Sequence, residues 1–128
     1  MRNFRELLVW QKAHQLVLEV YQLTKSFPVE ERFGITSQLR RSVVSIPTNI
    51  AEGAGMGTEL QMGRYLQIAL GSASETEYLL LRSQDLGYLP NQEGVTLVGK
   101  VQEMKRMLSG FIVKLKGCAD AGTLTADR

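Results

Sequence analysis

Apolar and polar positions fall into four stretches with helical spacing, and no stretch of useful length alternates with the two-residue period of a strand. Glycine and proline clusters separate the four. The first helix is predicted from about Phe4 to Lys25, ended by the Ser26-Phe27-Pro28 turn, because a residue before proline avoids helical backbone angles. The second runs from about Gly34 to Glu52 and stops at Gly53-Ala54-Gly55-Met56-Gly57. The third begins after Thr58, where Thr58-Glu59-Leu60-Gln61 has the pattern of a capping box. It ends near Leu86, with Gly87 where a left-handed C-terminal cap is needed. Pro90 blocks continuation, and Asn91 is suited to cap a fourth helix that runs to Gly117. Every connection is short, which makes consecutive helices antiparallel neighbours. The expected fold is therefore all-α, an antiparallel up-down-up-down four-helix bundle over residues 1–118, followed by a small, polar, flexible tail over 119–128.

The stripes identify a core. Leu39, Val43, Ile46 and Ile50 share one side of the second helix. Met62, Tyr65, Leu66, Ala69, Ala73 and Leu80 form the stripe of the third, and Leu97, Val101, Met104, Leu108, Phe111 and Leu115 that of the fourth. Gly63, Gly71, Ser72, Ala73 and Ser74 on the third helix are small enough for a neighbouring helix to come close. Pro47 lies inside the second helix, where it removes the bond to the Val43 carbonyl and bends the chain. Ser45, Thr48 and Asn49 are near enough to satisfy freed backbone groups.

The first helix carries one apolar face too many. At about 100° per residue, Leu7, Trp10, His14, Val17, Leu18 and Tyr21 form one face, and Val9, Ala13, Leu16, Val20, Leu23 and Phe27 another. No helix of a four-helix bundle is central, so the second face calls for another subunit. The expected oligomer interface comprises Leu7, Trp10, His14, Val17 and Tyr21. Arg41 and Glu52 on the second helix join it, being three turns apart and able to pair only between subunits. His14 is expected to be a buried structural histidine.

Bulk numbers narrow the chemistry. The chain has 128 residues, enough to bury a core without a metal or disulfide staple. Cys118 is the single cysteine, so no internal disulfide forms and a reducing compartment fits best. The apolar run Leu7 to Trp10 is far shorter than a signal-peptide core, and no stretch approaches the roughly 20 apolar residues of a membrane span, so a cytoplasmic location is expected. One histidine, His14, excludes the paired Glu-x-x-His motifs of a di-iron bundle, and nothing stands at zinc-ligand spacing. No Gly-x-Ser-x-Gly elbow exists, and the Gly53–Gly57 run neither follows a strand nor leads into Gly-Lys-Ser/Thr. No catalytic residue, cofactor or metal is expected.

Basic residues offer the remaining lead. The net charge is only +2, so a nucleic-acid partner requires a clustered patch. Candidates are Arg40, Arg41 and Arg64, then Lys105 and Arg106.

Three stretches, FRELLVWQKAHQLVLEVYQLTKSFP, FGITSQLRRSVVSIPTNIAEGAG and RYLQIALGSASETEYLLLRSQDLGYL, resemble the four-helix bundle proteins called 23S rRNA intervening-sequence proteins. The likeness covers about Phe4 to Leu89, and SQLRRS followed by SIPTNIAEG is its most specific part. It implies an up-down bundle and, for relatives, a ring-shaped homopentamer. The family name records genes lying within insertions in large ribosomal RNA genes, and distant relatives assist diversity-generating retroelements and bind nucleic acid through basic surfaces. No catalytic residue comes with the resemblance. The expected role is a non-enzymatic, ring-forming bundle that binds RNA or other nucleic acid by phosphate contacts, the alternative being a protein-interaction scaffold.

Overall fold

The computed structural model describes the backbone of residues 1–126 and the side chains of residues 1–117. Four helices are present, α1 (Leu8–Thr24), α2 (Ile35–Ala54), α3 (Glu59–Asp85) and α4 (Asn91–Ala126), and no strand occurs among the described residues. The side chains of Cys118 and of the stretch 119–128, read above as a tail, lie outside the described residues.

Local chemistry sets most of the boundaries. Thr58 caps α3: its hydroxyl oxygen accepts from the Gln61 N–H at 3.1 Å and lies 3.2 Å from the Gln61 side-chain oxygen. At the other end Gly87 takes φ 80°, the left-handed conformation expected there. Its turn closes with Tyr88 N–H on the Ser83 carbonyl at 2.9 Å and Leu86 N–H on the Arg82 carbonyl at 2.9 Å. Other ends differ from the sequence reading. Leu7 is extended, at φ −78° and ψ 123°, so Phe4–Glu6 forms a separate 3-10 turn and α1 starts at Leu8. Asn91 is the first residue of α4 rather than its cap, and its side-chain oxygen accepts from Gln84 at 3.3 Å. Gly117, lacking a positive φ, does not stop α4.

Residue pairs across the seams show neighbouring helices running antiparallel. Numbers rise along α2 as they fall along α3: Gln38 with Arg82 at 3.1 Å, Ser42 with Thr76 at 2.9 Å and Ser45 with Ser72 at 2.8 Å. Near the turn Gly53 lies inside α2, where an added Cβ would stand 2.9 Å from Tyr65 Cβ. The small residues Ala69, Ser72 and Ala73 therefore serve packing within the chain, while Gly71 and Ser74 stay exposed. α1 and α4 form the loosest seam, crossed by Lys12–Glu103 at 2.5 Å and Lys100–Glu19 at 2.6 Å.

The expected stripes meet in one core, except that Tyr65 and Phe111 are only half-buried. Leu39, Val43, Ile46 and Ile50 are wholly buried, as are Leu66, Ala69, Ala73, Leu80, Val101 and Leu108. Pro47 is buried in α2. Near it Thr48 Oγ1 donates to the Val44 carbonyl at 2.8 Å and Asn49 Nδ2 to the Ser45 carbonyl at 2.8 Å. On α1 the face with Val9, Ala13, Leu16 and Val20 is the one that enters the core. The other face divides. Leu7, Trp10 and Val17 are half-buried against the core's edge, while His14, Leu18 and Tyr21 are exposed. His14 is thus not a buried histidine. It stacks on Trp10 with ring centroids 5.0 Å apart and planes 7° from parallel, which leaves its far side in solvent.

Candidate nucleic-acid interface

The arginines foreseen on α2 diverge in role. Arg40 reaches back to α1: its Nε donates to Thr24 Oγ1 at 2.8 Å, its terminal nitrogen to the Tyr21 carbonyl at 3.3 Å, and the guanidinium lies 4.7 Å from the Tyr21 ring centroid. This places a positive charge on the last carbonyls of α1, where the helix dipole favours it. Arg41, one residue on and about 100° around the helix, is exposed and, among the described residues, its side chain bonds to Ser37 Oγ alone, at 3.1 Å.

Across the seam with α3, Arg82 completes the row. It donates to Gln38 Oε1 at 3.1 Å, and its guanidinium stands 5.8 Å from the centroid of the Tyr78 ring. The outward side of the first half of α2 is therefore bordered by Arg40 with Tyr21 on the α1 side and Arg82 with Tyr78 on the α3 side, with Arg41 between. In the α1–α2 connection Arg32 lies 4.8 Å from the Phe33 ring centroid. Among the described residues none of these four arginines makes an ion pair; the pairs present are Arg2–Glu59, Lys12–Glu103, Lys100–Glu19 and Lys105–Glu77. Nearby Glu31 accepts from the Tyr88 hydroxyl at 3.0 Å, which raises the Tyr88 pKa above its ordinary value.

The remaining candidates lie elsewhere. At about 1.5 Å per residue Arg64 is about 27 Å along α3 from Arg82. It is exposed, among Leu60, Gln67, Ile112 and Lys116. Lys105 is held at 2.9 Å by Glu77, which also accepts from Gln102 at 3.1 Å; the Lys105 bond, ahead of all other causes, keeps the Glu77 carboxyl below its usual range. Arg106 is exposed and close enough to help depress Glu103, whose main partner is Lys12. The five candidates do not form one patch: Arg40 and Arg41 share a neighbourhood, and Arg64, Lys105 and Arg106 are separate from it. Arg82 and the three ring partners were missed as a group. The signal for them was present, since Arg82 and Tyr78 stand one helical turn apart.

Of the expected interface residues, Leu7, Trp10 and Val17 are half-buried against the core, whereas His14 and Tyr21 are exposed, with Tyr21 already occupied on one side by Arg40. Arg41 and Glu52 are exposed on α2, and among the described residues neither forms an ion pair. Among the described residues no three His, Cys, Asp or Glu side chains gather to hold a metal ion, and no helix is long and apolar enough to cross a membrane.

Comparison with known proteins places this geometry. A crystal structure of a protein with unknown function from the S23 ribosomal protein family of Bacteroides thetaiotaomicron VPI-5482 superposes with a TM-score of 0.77 at 26% identity. The match covers 82% of this chain and 98% of that one. No curated protein matches. The family model for the 23S rRNA-intervening sequence protein matches residues 5–110, which take in α1, α2, α3 and the first 20 residues of α4. The chain belongs to the 23S rRNA-intervening sequence protein family.

Proposed function

We propose that this protein is a non-catalytic binding bundle that assembles into a ring, a homopentamer on the family pattern, and binds RNA or other nucleic acid in the cytoplasm. The observation that carries the binding reading is the outward side of α2. There Arg41 is exposed and flanked by Arg40 and Arg82, and among the described residues none of the three makes an ion pair with a carboxylate. Such a surface positions a phosphate backbone without reading sequence. A ring repeats it in every subunit, which raises the local field beyond what +2 per chain supplies. Support for assembly comes from α1, where Leu8 and Leu18 remain 58% and 51% exposed.

The test is sedimentation of the purified protein, alone and with a labelled RNA at low salt, alongside Arg41→Ala/Arg82→Ala. The expected result is a ring-sized species that carries RNA and releases it as salt rises. The double variant should bind more weakly, with a salt slope reduced by about 1 per lost contact. Unchanged affinity in that variant removes this site, and a monomer removes the ring. Arg40 is left in place because it also anchors α1.

A protein-interaction scaffold is favoured by a different feature, the apolar side chains of Leu60, Ile68 and Leu81, which are exposed on α3. Partners captured equally with and without nuclease treatment would select that reading.

A further inference from the structure

Core packing does not account for three aromatic rings at one end of the bundle. Phe33 is 85% exposed, Tyr78 58% and Tyr21 40%. Each has an arginine against it, at 4.8 Å for Arg32, 5.8 Å for Arg82 and 4.7 Å for Arg40. The three pairs come from the α1–α2 connection, the last third of α3 and the end of α1. Hydrogen bonds tie two of them to the first turns of α2, through Arg82 to Gln38 and through Arg40 to Thr24. Phe33 adjoins the start of the same helix. Arg41 stands among them.

We infer that this surface takes an unpaired stretch of RNA, with bases stacking on Phe33, Tyr78 and Tyr21 and phosphates lying against Arg41 and Arg82. The inference rests on the nucleic-acid reading above and specifies the form of the ligand. A purely electrostatic surface has no use for apolar rings in water, and it would hold a duplex as readily as a single strand. A duplex keeps its base faces stacked inside, so exposed rings gain nothing from it. An unpaired strand offers a flat π-face at each nucleotide beside one phosphate, which is the alternation of ring and guanidinium found here. A protein partner would have to supply a carboxylate for each arginine to avoid leaving the charges desolvated and unpaired. Because every base has a π-face, the expected recognition is tolerant of sequence.

The experiment is fluorescence anisotropy with the full chain, using a labelled single-stranded RNA of mixed sequence and the same strand annealed to its complement. Wild type is compared with Phe33→Ala, Tyr78→Ala and Arg41→Ala. Circular dichroism melts confirm folding, which exposed positions such as 33 and 78 should not disturb. The expected result is at least about tenfold tighter binding of the single strand. Each ring deletion should weaken single-strand binding by roughly five- to a hundredfold and leave duplex binding unchanged. Arg41→Ala should weaken both. Equal binding of strand and duplex, with both ring variants behaving as wild type, overturns the stacking inference while the nucleic-acid reading stands. Absence of binding to either RNA overturns both.

Discussion

The guanidinium of Arg2 meets the carboxylate of Glu59 in a two-pronged pair, at 2.9 and 3.0 Å, and so fastens the first residues of the chain to the start of α3. The same side chain touches Met62 Sδ at 2.8 Å and lies 5.8 Å from the Phe111 ring centroid, while Arg2 N–H donates to the Ala54 carbonyl at 2.8 Å. One residue thus joins the chain start, the end of α2, the start of α3 and α4. Both charges are more than a third exposed, at 38% and 39%, so solvent screening keeps the pair weak. Glu59→Gln should lower stability in urea by about 0.5 kcal/mol, and Arg2→Ala by about 1 kcal/mol because its packing is lost as well. Identical midpoints for wild type and Arg2→Ala would show that the clasp contributes nothing.

Gly53 and Gly99 should respond oppositely to alanine. A Cβ at Gly53 meets Tyr65 Cβ at 2.9 Å and the Met62 carbonyl at 3.2 Å, so α2 and α3 must part. Gly53→Ala should cost about 1–3 kcal/mol, outweighing alanine's helix preference. At Gly99, exposed on α4, nothing lies within 4 Å, and Gly99→Ala should stabilise by up to about 1 kcal/mol. Thermal melts of the two variants check the signs, and a stabilised Gly53→Ala would refute the close approach.

The buried hydroxyls between α2 and α3 act as a pair. Thr76 is wholly buried, its hydroxyl 2.9 Å from Ser42 Oγ and 2.8 Å from the Ser72 carbonyl, and Ser42 donates to the Leu39 carbonyl at 3.0 Å. Thr76→Val and Ser42→Ala should each cost about 1 kcal/mol, and the double variant less than the sum, because removing both leaves no orphaned partner. Strict additivity in urea melts would rule the coupling out.

Acid should loosen the fold through three carboxylates. Glu59, Glu77 and Glu103 are each held below the ordinary value of 4.5, foremost by hydrogen bonds from Arg2, Lys105 and Lys12. Depressed groups contribute stability that is present above the unfolded value and lost as pH falls through the folded ones. Stability should stay level down to about the unfolded value, then decline, and the decline should be shallower in Glu77→Gln. Tyr88 works in the other direction: raised by Glu31, it contributes below its unfolded value and loses that contribution as strong alkali ionises it. A stability profile flat into acid would contradict the carboxylate account.

What the sequence made legible was the code that acts over a few residues. Thr58 with Gln61 and Gly87 after Leu86 work within one turn of backbone, so pattern alone locates them. The core stripes of α2, α3 and α4 follow from helical period. The illegible features depend on partners far along the chain. Arg2 finds Glu59 only once α3 is docked, and Arg40 looks like a free cation until α1 folds back beside it. His14 shares a face with apolar residues, yet the bundle turns that part of the face outward. The α2 surface was half legible for the same reason: Arg40-Arg41 are adjacent in sequence, whereas Arg82 joins them only across the α2–α3 seam.

The thin polar closure between α1 and α4 has a kinetic consequence. Its two struts join positions 91 and 81 residues apart, the longest loops any described side-chain hydrogen bond closes, while the α2–α3 hydrogen bonds span shorter ones. Contacts that close long loops form late and reward the chain least until they do. The first helix therefore behaves as a hinged cover: last to seat, first to lift, and lifted more readily when salt weakens Lys12–Glu103 and Lys100–Glu19. Amide hydrogens of α1 should exchange ahead of those of α2 and α3, with the gap widening in salt. Uniform exchange across the helices would mean that the bundle opens only as a whole.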